Sequence, residues 1–446
     1  MPVRISALLQ CHNGLVPLGI YISVPFCRTK CTYCNFASGV FSRPMFTKYV
    51  DRLCADIANA DKTAEEMGAE FERRADSIYL GGGTPSVLAP EDLVRVFEAV
   101  RQKFEVTPNA EVTVECAPGT LDATMIETLL RCGVNRVSLG VQSFANEETR
   151  SVGRLHTREV TLDDIGRLRA SGITNINVDL IAGLPHQTRE SWEYSLDEVI
   201  TTGVPHCSAY MLEIDDDSRL GRELIAGGTR YHAHFVPDEE MTADLYVRTI
   251  EKLNGAGIQQ YEISNFARNG FESRHNLKYW TRQPYMGFGV DAHSMLDAAS
   301  DPYVLLRAAE NEPSASDEGG TKSCAVTQAD VEAVRFSTPD SLEEYLGTHP
   351  PLKGKGAAPE STTRALTRTP VSRCAAREEE FFLGLRINRG VDLATIQARY
   401  GFTDAINETV EELVSCGLLA REGPKVRLTD RGRLLSNEVF ERFIGT

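Results

Sequence analysis

Tyr21-Ile-Ser-Val-Pro-Phe-Cys27-Arg-Thr-Lys-Cys31-Thr-Tyr-Cys34-Asn-Phe36 is the stretch around which the chain reads best. The run before Cys27 alternates as a strand does, and Pro25 bars a helix from starting there, so the thiols sit on a loop leaving a strand. Three thiolates spaced four and three apart, with no fourth sulfur close behind, supply three ligands to a centre that takes four. One metal position is left open for chemistry, the pattern of an iron–sulfur cluster. Two other readings compete. Three small thiols would fit one face of a buried helix, but the strand pattern opposes this. A structural zinc ion would want a further Cys or His at short range.

The 446 residues allow two or three domains, and 42% hydrophobic with 25% charged residues is the composition of a soluble globular protein. No apolar run is long enough to span a bilayer, which leaves room only for peripheral membrane association. A formal net charge of -16, with no basic patch to offset it, argues against a nucleic-acid partner. The first residues hold one arginine and a brief apolar run, poor material for a secretory signal, though compatible with a short organelle-targeting segment. The eight cysteines outside the motif (Cys11, Cys54, Cys116, Cys132, Cys207, Cys324, Cys374 and Cys416) show no pairing rhythm. They read as reduced thiols, with the cytoplasm as the expected compartment.

After the cysteine loop, an amphipathic segment from Pro44 to about Phe71 leads to Ser77–Leu80 and then Gly81-Gly82-Gly83-Thr84-Pro85-Ser86. Further strand-like runs follow at 111–116, 136–141, 175–181 and 206–212, each separated from the next by a helical pattern. Six βα units predict a parallel sheet. The cysteine loop, the glycines, Glu115, Gln142, Asp179 and the Tyr210/Glu213 pair all fall near the C-terminal ends of successive strands. In a (β/α) barrel those ends share one face and build the site, which predicts a partial, curved (β/α)6 TIM-type barrel. The glycines are compatible with a plain tight turn, but facing the cysteine loop they would cradle a small zwitterion. Glu115 and Asp179 are either ordinary capping or ion-pairing carboxylates, or groups that hold a ligand's hydroxyls or amine.

Taken together, YISVPFCRTKCTYCNF, GGGTPS, TVECAPGT, LGVQSF, GRLH and INVDLIAGLP resemble the radical S-adenosylmethionine proteins. More narrowly, they resemble the group that holds oxygen-independent coproporphyrinogen III oxidase and the HemW heme chaperones. The similarity runs from about Leu18 through Ser294 and resumes at the C-terminus. It implies that Cys27, Cys31 and Cys34 bind a [4Fe–4S] cluster whose fourth iron is chelated by S-adenosylmethionine. Tyr21, Tyr33, Gly82, Gly83, Thr84, Glu115, Gln142, Arg154 and Asp179 would line that cofactor's site. Reduction of the cluster would cleave the sulfonium to a 5′-deoxyadenosyl radical, with the protein supplying position and a dry pocket.

Two places separate the branches. The oxidase carries a further cysteine two residues beyond the third, where this chain has Phe36. Downstream, Arg274-His275-Asn276-Leu-Lys-Tyr279-Trp280 resembles the H-N-x-x-Y-W signature associated with heme binding in the chaperones. By that likeness His275 would be an axial ligand flanked by Tyr279 and Trp280. Read as a lone histidine, it is a hydrogen-bonded residue in an apolar segment. The resemblance therefore favours a heme chaperone delivering heme to acceptor proteins over a radical decarboxylase acting on porphyrinogen propionates. Arg28, Lys30, Arg154 and Arg158 lie near the expected mouth and would suit either cofactor carboxylates or heme propionates. His232 and His234 read as surface residues.

The expected organisation is an N-terminal extension (1–17), a barrel domain carrying the heme motif (18–298), an insertion with a short helix near 340–346 (299–376), and a C-terminal domain (377–446). Stretches near 310–323 and 349–372 are rich in small and polar residues and are expected to be weakly ordered. The last domain shows three helices, a wing at 420–428 and a final helix over 431–443, a winged-helix-like pattern. With twelve acidic and nine basic residues after Arg377 it is a poor duplex reader. It is expected to cover the barrel mouth or dock a partner protein.

Overall fold

Alternating apolar strands and amphipathic helices build one curved sheet in the computed structural model of the chain, which describes residues 16–301, 303–304, 308, 330–347 and 366–445. Its strands are β1 (Leu18–Val24), β2 (Ala69–Glu70), β3 (Arg74–Gly82), β4 (Glu105–Cys116), β5 (Arg136–Gln142), β6 (Asn175–Ala182) and β7 (His206–Met211). They continue with β8 (Gln259–Glu262), β9 (Asn265–Ala267), β10 (Tyr285–Phe288), β11 (His293–Ala298), β12 (Val331–Ser337) and β13 (Thr367–Ser372). The order is β13-β12-β11-β10-β1-β3-β4-β5-β6-β7-β9-β8, with β2 paired to β11. Every neighbouring pair from β10 through β1 and β3 to β7 is parallel, the arrangement of a partial TIM-type barrel.

The period of two sorts the side chains. Leu18, Ile20, Ile22 and Val24 are fully buried against the outer helices. Gly19, Tyr21 and Ser23 turn to the barrel interior, where a Cβ on Gly19 would stand 2.8 Å from Lys278 and 3.3 Å from Ser77. The interior is polar along β5 to β7. Ser138 donates to Asp179 (2.9 Å), Asn177 donates to the other Asp179 oxygen (2.7 Å), and His206 bridges Asn177 (2.6 Å) and the Tyr261 hydroxyl (3.0 Å). A buried network of this kind is tolerable because its members satisfy one another.

A sheet with two edges leaves a seam, and the C-terminal residues cross it. The helix Arg373–Gly384 packs on β12 and β13. Ile387 bridges to Glu262 of β8, and Ile263 joins the C-terminal apolar core. Arg282 locks the two together, reaching Glu379 at 2.8 Å and standing 3.7 Å from both Glu332 and Glu380. The C-terminal fold itself has β14 (Val391–Asp392) beside the hairpin β15 (Leu419–Glu422) and β16 (Lys425–Leu428), with the helices Leu393–Tyr400 and Asp404–Ser415. It is winged-helix-like, but it docks on the barrel's seam instead of its cysteine-bearing mouth.

Several boundaries differ from the sequence reading. The amphipathic segment after Pro44 is two helices, Arg43–Ala58 and Ala60–Glu66, interrupted at Asn59. The final helix divides into Asp430–Leu434 and Ser436–Glu441. Residues 367–372, in a stretch expected to be weakly ordered, form β13, because an exposed edge of β12 offers it a full ladder of hydrogen-bond partners. The short helix in the insertion is Leu342–Tyr345. The expected weak order at 310–323 and 349–365, and the first fifteen residues of the expected extension, fall outside the described residues. No helix among the described residues is long and apolar enough to cross a membrane.

Candidate functional site

The cysteine loop leaves β1 exactly where the register carries that strand alongside the glycine run, Ser23 facing Gly81 and Val24 facing Gly82. Gly83 N–H donates to Val24 O and Thr84 N–H to Phe26 O, both at 2.8 Å, so the two turns are laced together. Each glycine is required by close approach. A Cβ would meet Glu115 and Tyr79 from Gly81, Ser23 from Gly82, and from Gly83 the carbonyls of Val24 (2.7 Å) and Phe26 (2.9 Å) and the Cys27 sulfur (3.1 Å). Gly82 also holds φ +95°.

The loop is tied on its other side to the segment after β5. Thr29 donates to Gly153 O (3.1 Å) and Thr32 N–H to Val152 O (3.1 Å). Leu220 N–H then reaches Thr32 O (2.9 Å), which brings the helix Arg219–Ala226 onto the loop. All three motif cysteines are free thiols, and Cys31 and Cys34 lie close enough to Cys27 to act on it electrostatically. Burial pushes the Cys27 thiol up, opposed by hydrogen bonds from Thr84 and Ser38. Thr84 donates to the Cys27 sulfur at 3.7 Å, and Ser38 lies 3.8 Å from the Cys34 sulfur. Among the described residues no three His, Cys, Asp or Glu side chains stand close enough to hold a single metal ion.

Behind the cysteines the remaining candidates fall into two groups. Arg154 donates to the Tyr33 hydroxyl (3.2 Å), and a Cβ on Gly140 would lie 3.1 Å from the Gln142 amide and 3.4 Å from the Arg154 guanidinium. Gln142 has φ +70°, a left-handed conformation for a non-glycine residue that turns its amide beside Arg154. The Arg154 Nε is buried without a hydrogen-bond partner, an unused donor. The second group is deeper. Glu115 accepts from the Tyr79 hydroxyl at 2.8 Å, and burial together with the Asp179 charge lifts its carboxyl to about 7. Burial also raises Asp179, against hydrogen bonds from Ser138, Ser208 and Asn177. Glu115 and Gln142 lie at strand ends as expected, whereas Asp179 sits in the middle of β6, and Tyr21 in the middle of β1.

Tyr79 escaped the sequence reading, although its place two residues before Gly81 puts it on the same interior face. Of the basic candidates, Arg28 and Lys30 are on the cysteine loop, Arg154 lies beneath it, and Arg158 is paired with Glu198 at 2.8 Å. His232 is half-buried rather than on the surface, because its ring meets His186 at 3.0 Å, while His234 is exposed.

The segment expected to bind heme lies elsewhere. His275, Tyr279 and Trp280 belong to the helix Arg274–Trp280, which enters the barrel from the N-terminal ends of the strands, opposite the cysteines. Its first backbone amides are held by Glu111, with Arg274 N–H and His275 N–H each at 3.1 Å from that carboxylate. His275 is fully buried, its Nδ1 3.0 Å from Ser77 Oγ and its Nε2 2.8 Å from the Tyr279 hydroxyl, and its ring stacks on Tyr79 at 5.4 Å. Both nitrogens are engaged, and burial lowers the ring's pKa to about 3. Tyr279 spends its hydroxyl on His275, and the Trp280 ring lies under the Arg386 guanidinium at 4.3 Å. In this conformation His275 is closed off inside the barrel, while Tyr279 and Trp280 are half-buried.

Comparison with known proteins agrees with this architecture. The family model described as the radical SAM superfamily matches residues 21–199, and that of the HemN C-terminal domain matches residues 371–435. The protein named heme chaperone HemW in Lactococcus lactis is 30% identical over 430 residues, covering 96% of this chain and 97% of its own. Its namesake in Bacillus subtilis is 30% identical, covering 95% and 98%. Among solved structures, coproporphyrinogen III oxidase (HemN) from Escherichia coli superposes with a TM-score of 0.73 at 22% identity, over 96% of this chain and 90% of that one, a likeness of fold.

Proposed function

Because the chain belongs to the HemW heme-chaperone family of radical S-adenosylmethionine proteins, we propose that it binds a [4Fe–4S] cluster, S-adenosylmethionine and heme, and passes heme to acceptor proteins. The observation that carries the reading is the lacing of a three-cysteine loop to a glycine turn over buried carboxylates, in a chain similar to HemW along nearly its whole length.

In this reading Cys27, Cys31 and Cys34 hold the cluster, while Gly82, Gly83 and Thr84 give the cofactor's amino-acid end a close backbone approach. Glu115 and Asp179 accept from its amine or hydroxyls. Tyr33, Gln142 and Arg154 close the other side, the spare Arg154 donor meeting an oxygen, and Tyr21 supplies an apolar face below. When bound, the reduced cluster supplies one electron to the cofactor's sulfonium. The chain's part is to exclude water and fix the ligands, with Thr84 and Ser38 as donors near the sulfurs that tune the cluster. Ligation of heme by His275 would require its bonds to Ser77 and Tyr279 to open, so His275, Tyr279 and Trp280 serve heme in this proposal only after that helix rearranges.

Phe36, in place of a cysteine two residues past the third, speaks against coproporphyrinogen oxidation. The test is anaerobic. The reconstituted chain, given heme and an apo-acceptor such as an apocytochrome, should transfer the heme and leave coproporphyrinogen III unchanged. Appearance of vinyl product would defeat the chaperone reading.

A further inference from the structure

The lower end of the barrel holds a cation that none of the assigned roles uses. Register sets Tyr21 beside Tyr79, Tyr79 beside Thr113, Thr113 beside Arg136 and Arg136 beside Asn175, so five neighbouring strands bring these residues to one level. Arg136 and Asn175 open β5 and β6, which puts that level near the N-terminal ends of the strands. The period of two turns them inward, since Thr113, Arg136 and Asn175 each stand two residues before an interior group, Glu115, Ser138 and Asn177. One level up, the polar groups satisfy one another. Here three of the five carry a buried polar atom without a hydrogen-bond partner: Thr113 Oγ1, Arg136 Nε and Asn175 Oδ1.

Arg136 is the sharpest case. It is 2% exposed, and among the described residues its guanidinium has neither an ion pair nor a hydrogen bond. Lys278 and Arg282, buried cations on and just past the helix Arg274–Trp280, each meet a carboxylate at 2.8 Å. The carboxylates of the interior are already engaged. Glu111 holds the first amides of that helix, Glu115 accepts from Tyr79, and Asp179 uses both oxygens on Ser138 and Asn177. Yet the Arg136 charge acts on Tyr79 of β3, Asp179 of β6, His206 of β7, Tyr261 of β8 and His275 of the helix. The guanidinium is therefore central, ringed by five elements, none of which gives it an anion at contact distance. A buried charge in that state is costly until a partner arrives.

The chemistry of the level selects the partner. An unused guanidinium fork matches one carboxylate, and the Thr113 hydroxyl and Asn175 amide on either side add hydrogen-bonding groups. The rest of the level is aromatic. The His275 ring lies 5.4 Å from Tyr79 and 6.4 Å from Tyr21, centroid to centroid, so the expected iron ligand and the unpaired cation adjoin the same layer.

We propose that Arg136, flanked by Thr113 and Asn175, receives a propionate of heme once the helix Arg274–Trp280 has moved. The site rests on the heme-binding reading above, and supplies the anchor for the ligand's acidic edge at the same end of the barrel as His275, Tyr279 and Trp280. Pairing removes the cost of the isolated cation, so the heme-free chain is poised for an acid and discriminates against a porphyrin whose propionates are masked.

The experiment titrates ferric heme into the full chain after anaerobic cluster reconstitution, following the Soret band, for the native protein and for Arg136→Met. Because an unpaired buried charge does not stabilise the heme-free fold, the variant without heme should melt at the native temperature or above it. Its heme affinity should fall by about 10-fold or more, while its affinity for S-adenosylmethionine stays native. Heme dimethyl ester should bind the native chain more weakly than heme does, and should not distinguish the two proteins. Undiminished heme binding by the variant overturns the site, as does an equal loss for heme and its ester. A heme-free variant that melts well below the native chain, or does not fold, overturns it too and makes Arg136 a structural cation. Loss of S-adenosylmethionine binding in place of heme binding gives the guanidinium to that cofactor's carboxylate and likewise overturns the proposal. A native chain that takes up no heme at all refutes the heme-binding reading beneath it, and this site with it.

Discussion

His275 gives the sharpest test of the barrel's lower end. Its ring is held between Ser77 and Tyr279 and stacked on Tyr79, whose hydroxyl supports Glu115, so the helix that plugs the barrel touches the group above it. Replacing it with Gln keeps a polar side chain but leaves Ser77 or Tyr279 unpartnered and part of the ring's volume empty. The expected cost is about 2–4 kcal/mol at pH 7.5. The pH dependence carries a second signature. With a folded pKa of about 3 against an unfolded value near 6.5, the unfolded chain takes up a proton below pH 6.5 that the folded chain refuses. Stability therefore falls as pH drops, and between pH 7.5 and 5.5 this one histidine accounts for a loss of about 1.4 kcal/mol. Glu115, raised to about 7, contributes with the opposite sign over the same range, so the comparison must be variant against native. Urea midpoints by circular dichroism of the apo chain at the two pH values supply it. The His275→Gln variant should start lower and lose about 1.4 kcal/mol less on acidification. Equal acid losses in the two proteins, or a variant as stable as the native chain at pH 7.5, would refute the plug.

Gly83→Ala should prevent stable cluster assembly, since its Cβ would press on two carbonyls and the Cys27 sulfur. A cost of about 1–3 kcal/mol should accompany a low iron content after reconstitution, and a full iron and sulfide count would show that the approach is not needed. Tyr79→Phe removes a donor that favours the Glu115 carboxylate, so the midpoint of S-adenosylmethionine binding against pH should move upward from about 7; an unmoved midpoint would detach Glu115 from the cofactor. Arg282→Ala strips one of two cations from Glu379, which keeps Arg335 at 2.8 Å, and should cost about 1–3 kcal/mol. Hydrogen exchange should then quicken at 262–264 and 373–384 while the cysteine loop stays protected; equal exchange everywhere would mean that this pair does not hold the seam.

Much of this protein was legible in its residues. Period-two strands broken by helical segments dictated a parallel barrel, since a parallel pair needs a crossover and a crossover of that length is a helix. The three cysteines after a proline-broken strand marked the loop, and their spacing is a local property that no packing can change. The glycine run was visible too, but its purpose was not, because close approach is a fact about the partner strand, whose register sets Gly83 against Val24 and Phe26. Tertiary structure alone decided what His275 does. The motif supplies an imidazole, but whether its nitrogens are free depends on Ser77, nearly two hundred residues away, and on a helix entering from below. It also decided that the winged-helix-like end straddles the seam, and that Arg219 and Arg222 border the same cavity as Cys31 and Cys34. Charges brought together by folding follow from distances in space, and the order of residues along a chain does not contain those distances until the sheet has closed around them.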